Sequence, residues 1–313
     1  MGEADYGELV SALVQFIFSS VVMVLGNKKA VMALPMPCVL VIVQAVGTVL
    51  LLAALPYCRR AMVGVSVATA VSWLPIAGVF SFMLLSSLKS FQHSGVATVL
   101  IFRNIGAIVS TLVEVATGKG GTSVGVLASE AVIVVGATMY GQGAVDFSWL
   151  GLQWIMLNVC GQVAYGVTLT SKMASDDAVK KLTKFDMSLL NNTLCLPMIA
   201  AVALYEGETL EGAKAAFAAM DAQGWGFVAL TCATGFLIST SGFGLQKLVS
   251  ASTFIVVNNL AKFINILLGV VLLGERVNGA VGLGGCLVAL LGGCWYSFET
   301  AKVNEAKKKA KKA

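Results

Sequence analysis

The chain has 313 residues, of which 58% are hydrophobic and only 12% charged, with a net charge of +5 and a mean hydropathy of +0.87. A soluble domain of this length carries about twice that charged fraction, so composition excludes an ordinary soluble enzyme, and no nucleic-acid partner is expected. Apolar stretches near twenty residues recur from end to end, which defines an all-α, polytopic membrane protein in contact with lipid.

The opening "MGEADYGELV" is short and acidic. It lacks the basic segment and small-residue cleavage site of a removable signal, and the hydroxyl residue of a myristoylation signal. Residues 1–8 therefore read as a cytosolic lead into an uncleaved first span. Ten spans are predicted, at about 9–30, 38–57, 67–88, 93–116, 123–142, 149–170, 187–205, 225–243, 249–273 and 280–299. They divide into two halves of five, 9–142 and 143–299, followed by a basic tail over 300–313. Five spans per half reverse the orientation of the second half, the arrangement of inverted repeats. Cytosolic termini place most of the chain's 21 Lys and Arg on the cytosolic side, as the positive-inside rule requires. The 33 Gly against five Pro favour close helix packing through small side chains, a composition also compatible with homodimerisation. The seven Cys show no metal-ligand spacing, and His93 is expected in a loop; no metal or cofactor is implied.

The informative residues are those that do not belong in a hydrocarbon environment. Span one ends in "NKKAV", with Asn27 and Lys28. Span four carries Arg103 and Asn104 far from either surface, with Glu114 too distant along the helix to pair with the arginine. Tyr165 lies in span six, and Asn191 and Asn192 follow Leu189 and Leu190 early in span seven. Ser241 lies in span eight, and span nine is interrupted by Asn258, Asn259 and Lys262. A cation near mid-membrane costs several kcal/mol unless paired, hydrated or neutralised by a ligand. Arg103 and Lys262, in different halves, therefore suit an anionic solute, with neighbouring amides supplying donors and acceptors for a base or a ribose. The competing structural readings are interhelical amide contacts for each Asn and a snorkelling side chain for Lys28. No acid–base pair or nucleophile group within the spans points to catalysis, so the protein is not expected to be an enzyme.

The ten spans, "NKKAV", "FRN" at 102–104, "FDMSLLNNTLCLP" in span seven and "VNNLAKFINILLGVVLLGE" in span nine together resemble the nucleotide-sugar transporters of the drug/metabolite transporter superfamily, above all the Golgi GDP-mannose transporter branch. The resemblance implies that Leu189, Leu190, Asn191 and Asn192 occupy the positions of an aromatic-aromatic-Asn-Asn motif that contacts the nucleotide. Asn258, Asn259, Leu260, Ala261 and Lys262 occupy those of a Gly-Ala-Leu-Asn-Lys motif that completes the pocket. Leucines stand here in place of the aromatic pair, and Ala261 in place of the motif's Asn. The implied activity is exchange of a cytosolic GDP-sugar, first GDP-mannose, for luminal GMP across the Golgi membrane. UDP-sugar/UMP exchange and sugar-phosphate transport remain open. The terminal "KAKKA" resembles a coat-protein retrieval signal for return to the endoplasmic reticulum.

Overall fold

The computed structural model describes residues 3–116, 123–143, 148–249, 251–273 and 279–310. These form the helices α1 (Glu3–Ala33), α2 (Pro37–Ala54), α3 (Pro56–Ala61), α4 (Val67–His93), α5 (Val96–Arg103), α6 (Gly106–Ala116), α7 (Val124–Gly143), α8 (Trp149–Ser175), α9 (Asp177–Lys181), α10 (Lys184–Tyr205), α11 (Leu210–Ala219), α12 (Ala222–Leu248), α13 (Ala251–Leu273) and α14 (Gly279–Ala310).

Small polar residues set where several of these helices begin. Ser66 caps α4 by accepting from Thr69 N (3.1 Å), Ser148 caps α8 through Gly151 N, and Asp221 caps α12 through Gly224 N (2.7 Å). At α10, Thr183 and Asp186 cap each other's backbone N–H groups (Asp186 N to Thr183 Oγ1, 3.2 Å; Thr183 N to Asp186 Oδ2, 2.9 Å). Each cap satisfies amides that the first helical turn leaves without partners.

Eight helical stretches among the described residues, one of them (Val96–Val113) running through α5 and α6, are long and apolar enough to cross a membrane. They match the predicted spans at 9–30, 38–57, 67–88, 93–116, 123–142, 187–205, 225–243 and 280–299 to within a few residues. The other two expected spans fall on α8, which carries the polar series Asn158, Gln162 and Tyr165, and on α13, of which Leu260–Gly269 is a shorter apolar stretch among the described residues.

Helix direction follows from which ends meet. Lys28, near the end of α1, reaches the last carbonyls of α4, and Glu208, just past α10, caps the start of α2. Ser94, just past α4, lies against Gly151 at the start of α8. At the opposite end of the bundle, Glu299 of α14 lies against Gly125 of α7, so the start of α1 and the end of α14 share that end.

The tightest helix contact is α7 against α14. A side chain on Gly136 would collide with the backbone of Ala289 and Gly285, and one on Gly285 with Tyr140 and Gly136. Close backbone approach through small residues gains dispersion contact where lipid offers no hydrophobic drive.

Four local expectations are corrected. Span four is broken: Asn104 N and Ile105 N bond to Ile101 O and Phe102 O (both 3.1 Å), three residues back, and the chain restarts as α6. Asn favours such local alternatives to α-helical bonding, and Gly106 follows it. His93, expected in a loop, is the last residue of α4. The predicted loop over 205–225 contains α11, and α10 begins at Lys184 rather than at 187. The side chains of Asn259, Glu114 and the lysines at 307–312 lie outside the described set.

Replacing Gly285 by Val is expected to lower stability by about 1–3 kcal/mol through overpacking. Gly166→Ala, where nothing lies within 4 Å of the added carbon, should leave it nearly unchanged. Thermal unfolding of the detergent-solubilised protein checks both.

Candidate functional site

Arg103 ends α5 and Asn104 follows it at the junction with α6, where two three-residue hydrogen bonds tighten the turn while Asn104 keeps helical φ and ψ (−66° and −21°). Arg103 is 8% exposed. Its Nη2 donates to Ser87 Oγ (2.8 Å) and Ser90 Oγ (3.3 Å) of α4, and the guanidinium lies 5.0 Å from the centre of the Phe91 ring. Its buried Nε has no hydrogen-bond partner.

Lys262 of α13 donates from Nζ to Asn104 Oδ1 (3.2 Å) and is close enough to Arg103 for their charges to repel. Among the described residues neither cation forms an ion pair. Asn265, one turn beyond Lys262, donates to Ala261 O but leaves a buried Oδ1 without a partner. The break thus gathers two unneutralised cations, an unused donor and an unused acceptor. Its chemistry is complementary to an anion bearing hydroxyls, and no nucleophile with an adjacent base lies among these residues.

A second polar group lies toward the start of α4. Asn191 is fully buried: its Oδ1 accepts from Trp73 Nε1 (2.7 Å) and its Nδ2 donates to the Tyr165 hydroxyl (2.9 Å). Phe80 packs against the Tyr165 ring at 5.7 Å. Trp73 and Ser87 are separated by about 21 Å of helix rise along α4, and Asn158 of α8, bonded to Met83 O and Ser86 Oγ, lies on the same α4–α8 seam. At the outer end of the seam Ser72 donates to Asp176 (2.7 Å). That bond, ahead of two backbone N–H groups and Lys172, holds the Asp176 carboxyl below its ordinary range.

The sequence-predicted residues therefore separate. Arg103, Asn104 and Lys262 converge, with Asn258 half-buried one turn earlier on α13. Asn191 and Tyr165 form the second group. Asn192 bonds its own helix at Ser188 O, Asn27 accepts from Gln44 Nε2, and Ser241 pairs with Ser19 Oγ. Lys28 donates to Phe91 O and Ser94 O rather than snorkelling. Leu190 is buried in the apolar cluster around Trp73, and Leu189 packs beside Leu52, Cys58 and Phe185. Sequence reading missed Trp73, Ser87, Ser90 and Asn265. The "SSLKS" run at 86–90 was the available signal for the serines, because Ser87 and Ser90 are three apart and share a helix face.

No protein-family model matches the chain. Its sequence is similar to GDP-fucose transporter 1 of Arabidopsis thaliana, 28% identical over 240 residues (73% of this chain, 67% of that protein). It is also similar to UDP-galactose/UDP-glucose transporter 7 of the same plant, 24% identical over 304 residues (95% and 91%), and to its GDP-mannose transporter GONST3, 26% identical over 298 residues (91% and 77%). A solved protein crystal structure superposes with a TM-score of 0.55 at 15% identity, covering 92% of this chain and 98% of that one, a likeness of fold. The relatives support a non-catalytic membrane transporter of their general kind and single out no branch among them.

Asn191→Ala is expected to destabilise the unliganded protein by about 1–3 kcal/mol, because it strands the buried Trp73 N–H and removes the donor to Tyr165. Asn192→Ala, which loses one bond within its own helix, should cost less; thermal unfolding of the two variants separates them.

Proposed function

We propose that the chain is a nucleotide-sugar transporter of the drug/metabolite transporter superfamily that exchanges a cytosolic nucleotide sugar for a luminal nucleoside monophosphate by alternating access. The observation that carries this reading is the pair of cations, buried Arg103 and half-buried Lys262, without a carboxylate partner among the described residues. A pyrophosphate or phosphate would neutralise both. The unused Nε of Arg103 and Oδ1 of Asn265 match the acceptors and hydroxyls such a ligand carries.

Ten spans in two inverted halves are the proposed architecture, with α1, α2, α4, α5–α6 and α7 corresponding to α8, α10, α12, α13 and α14. Helix packing supports this. The pairs α1–α12 and α4–α8 exchange under the correspondence, as do α2–α12 and α4–α10, and α1–α13 and α8 with α5 and α6. The pairs α2–α10, α5–α13 and α7–α14 map onto themselves. Cytosolic termini are favoured by Arg59, Arg60, Lys172, Lys180 and Lys184, which follow α2, end α8 or precede α10 on the termini side. The proposed location is the Golgi membrane, with the lysines of the tail as a retrieval contact.

GDP-mannose and GMP are the first substrate pair. UDP-sugar with UMP is the second reading, favoured by the UDP-galactose/UDP-glucose transporter that matches 95% of the chain. On either reading the phosphates lie at Lys262 and the base extends from them in the direction of Asn191 and Asn192, whose amides are already bonded to Trp73, Tyr165 and Ser188.

Proteoliposomes preloaded with GMP or UMP and offered labelled GDP- and UDP-sugars test the proposal. Uptake should require one trapped monophosphate. Lys262→Ala and Arg103→Gln should each reduce it at least about tenfold, the least expected for losing a charge-assisted hydrogen bond of ~1.5–3 kcal/mol. UMP-dependent uptake alone would replace the guanine assignment. Absence of exchange with either would overturn the nucleotide-sugar reading.

A further inference from the structure

The bundle end opposite the termini carries a second charged assembly, separate from Arg103 and Lys262. Lys89, in the last turns of α4, forms an ion pair with both carboxylate oxygens of Glu206, the residue that ends α10. The lysine side chain is 11% exposed and that of Glu206 29%, and the ammonium lies 4.6 Å from the centre of the Trp154 ring of α8. One contact therefore joins three helices under partial desolvation, where an ion pair is least screened by salt.

Two further bonds surround it. Glu208, two residues past Glu206, accepts from Cys38 N (3.2 Å) and Val39 N (2.9 Å) at the start of α2. Lys28 of α1 closes over the carbonyls of Phe91 and Ser94 (2.8 and 2.9 Å) at the end of α4. Cys38 lies beneath, fully buried, and its Sγ and the carboxylates of Glu206 and Glu208 are within 4.8 Å of one another. This grouping is a seal rather than a metal centre, because one carboxylate already holds Lys89 and the other two backbone amides.

The bonds differ in what separation would require. Glu208 and Lys28 hold backbone groups at helix ends and travel with those ends. Lys89–Glu206 is a contact between two side chains, each able to be solvated by water if the helix ends part. We propose that Lys89 and Glu206 form a latch holding the ends of α4, α8 and α10 together on the side away from the termini, and that its release opens the bundle there. The inference rests on the alternating-access reading, which requires this end to open during the cycle.

Cys38 is a native reporter for the latch. Protein in native-like membrane would be treated with a water-soluble, membrane-impermeant methanethiosulfonate reagent supplied to that side. The adduct on the peptide containing Cys38 would be quantified by mass spectrometry, with Cys38→Ala as the blank. Lys89→Gln and Glu206→Gln should each raise the Cys38 labelling rate at least about fivefold, the low end of a typical two-state coupling, while Lys89→Arg keeps it near wild type. Unchanged labelling in both neutral variants overturns the latch. Equal acceleration in Lys89→Arg overturns it as well, since the effect would then be loosened packing and not loss of charge. The assay needs no nucleotide, so these outcomes stand apart from the exchange experiment: labelling that follows the pair in a protein showing no nucleotide exchange would refute the substrate and keep the latch.

Discussion

Two positive charges held inside the helix bundle, buried Arg103 and half-buried Lys262, without acidic partners among the described residues, form the constraint around which the rest of this protein is arranged. Burying an ammonium or guanidinium costs several kcal/mol unless its donors are satisfied and its charge is met. The chain meets the first condition in part, leaving the buried Nε of Arg103 without a partner, and leaves the second incomplete. Ser87 and Ser90 take one nitrogen of Arg103, Phe91 offers a ring face, and Asn104 accepts from Lys262. Oxygens of neutral side chains orient a cation without cancelling it, so the site keeps a positive potential that a multiply charged anion lowers more effectively than water alone.

The broken span is part of this arrangement. An intact helix through 93–116 would place Arg103 and Asn104 in a regular ladder. The step to three-residue hydrogen bonds at Ile101 and Phe102 instead ends α5 at the arginine and frees Asn104 to face α13. A tightened turn of this kind is tolerated at membrane depth because its backbone N–H groups stay bonded within the chain. Both polar residues at this break engage other helices, α4 and α13 respectively.

Helix positions were legible in the sequence because hydropathy along one chain reports burial in lipid directly, and eight predicted spans recur as long apolar helices. Arg103 and Lys262 were legible for the complementary reason: a charge inside an apolar run has few inexpensive explanations. What the sequence concealed was partnership. Asn191 drew attention as an amide among leucines, but that Trp73 donates to it and Tyr165 accepts from it depends on how α4, α8 and α10 meet. The serines of α4 were hidden similarly, since a serine in a membrane helix often bonds its own backbone, as Ser81 and Ser86 do here. The junction at Asn104 showed in hydropathy only as the polar pair Arg103 and Asn104, which does not by itself distinguish a divided helix from a continuous one.

Helix α4 carries a residue of each of these features. It carries Trp73 against Asn191, Ser87 and Ser90 against Arg103, and Lys89 against Glu206. Ser87 and Lys89 are two residues apart, so they leave the helix on different faces, one toward the cations and the other toward the end of α10. A rigid shift of α4 would disturb both contacts, because neither serines nor lysine can move without the helix that bears them. Neutralising Arg103 with a bound anion would weaken the demand on the serine oxygens. The same ligand would then lower the cost of moving α4 and, with it, of parting Lys89 from Glu206. On the proposed transport cycle, an anion in the interior and opening at one end would be coupled through that shared helix, with no contact needed between ligand and the Lys89–Glu206 pair.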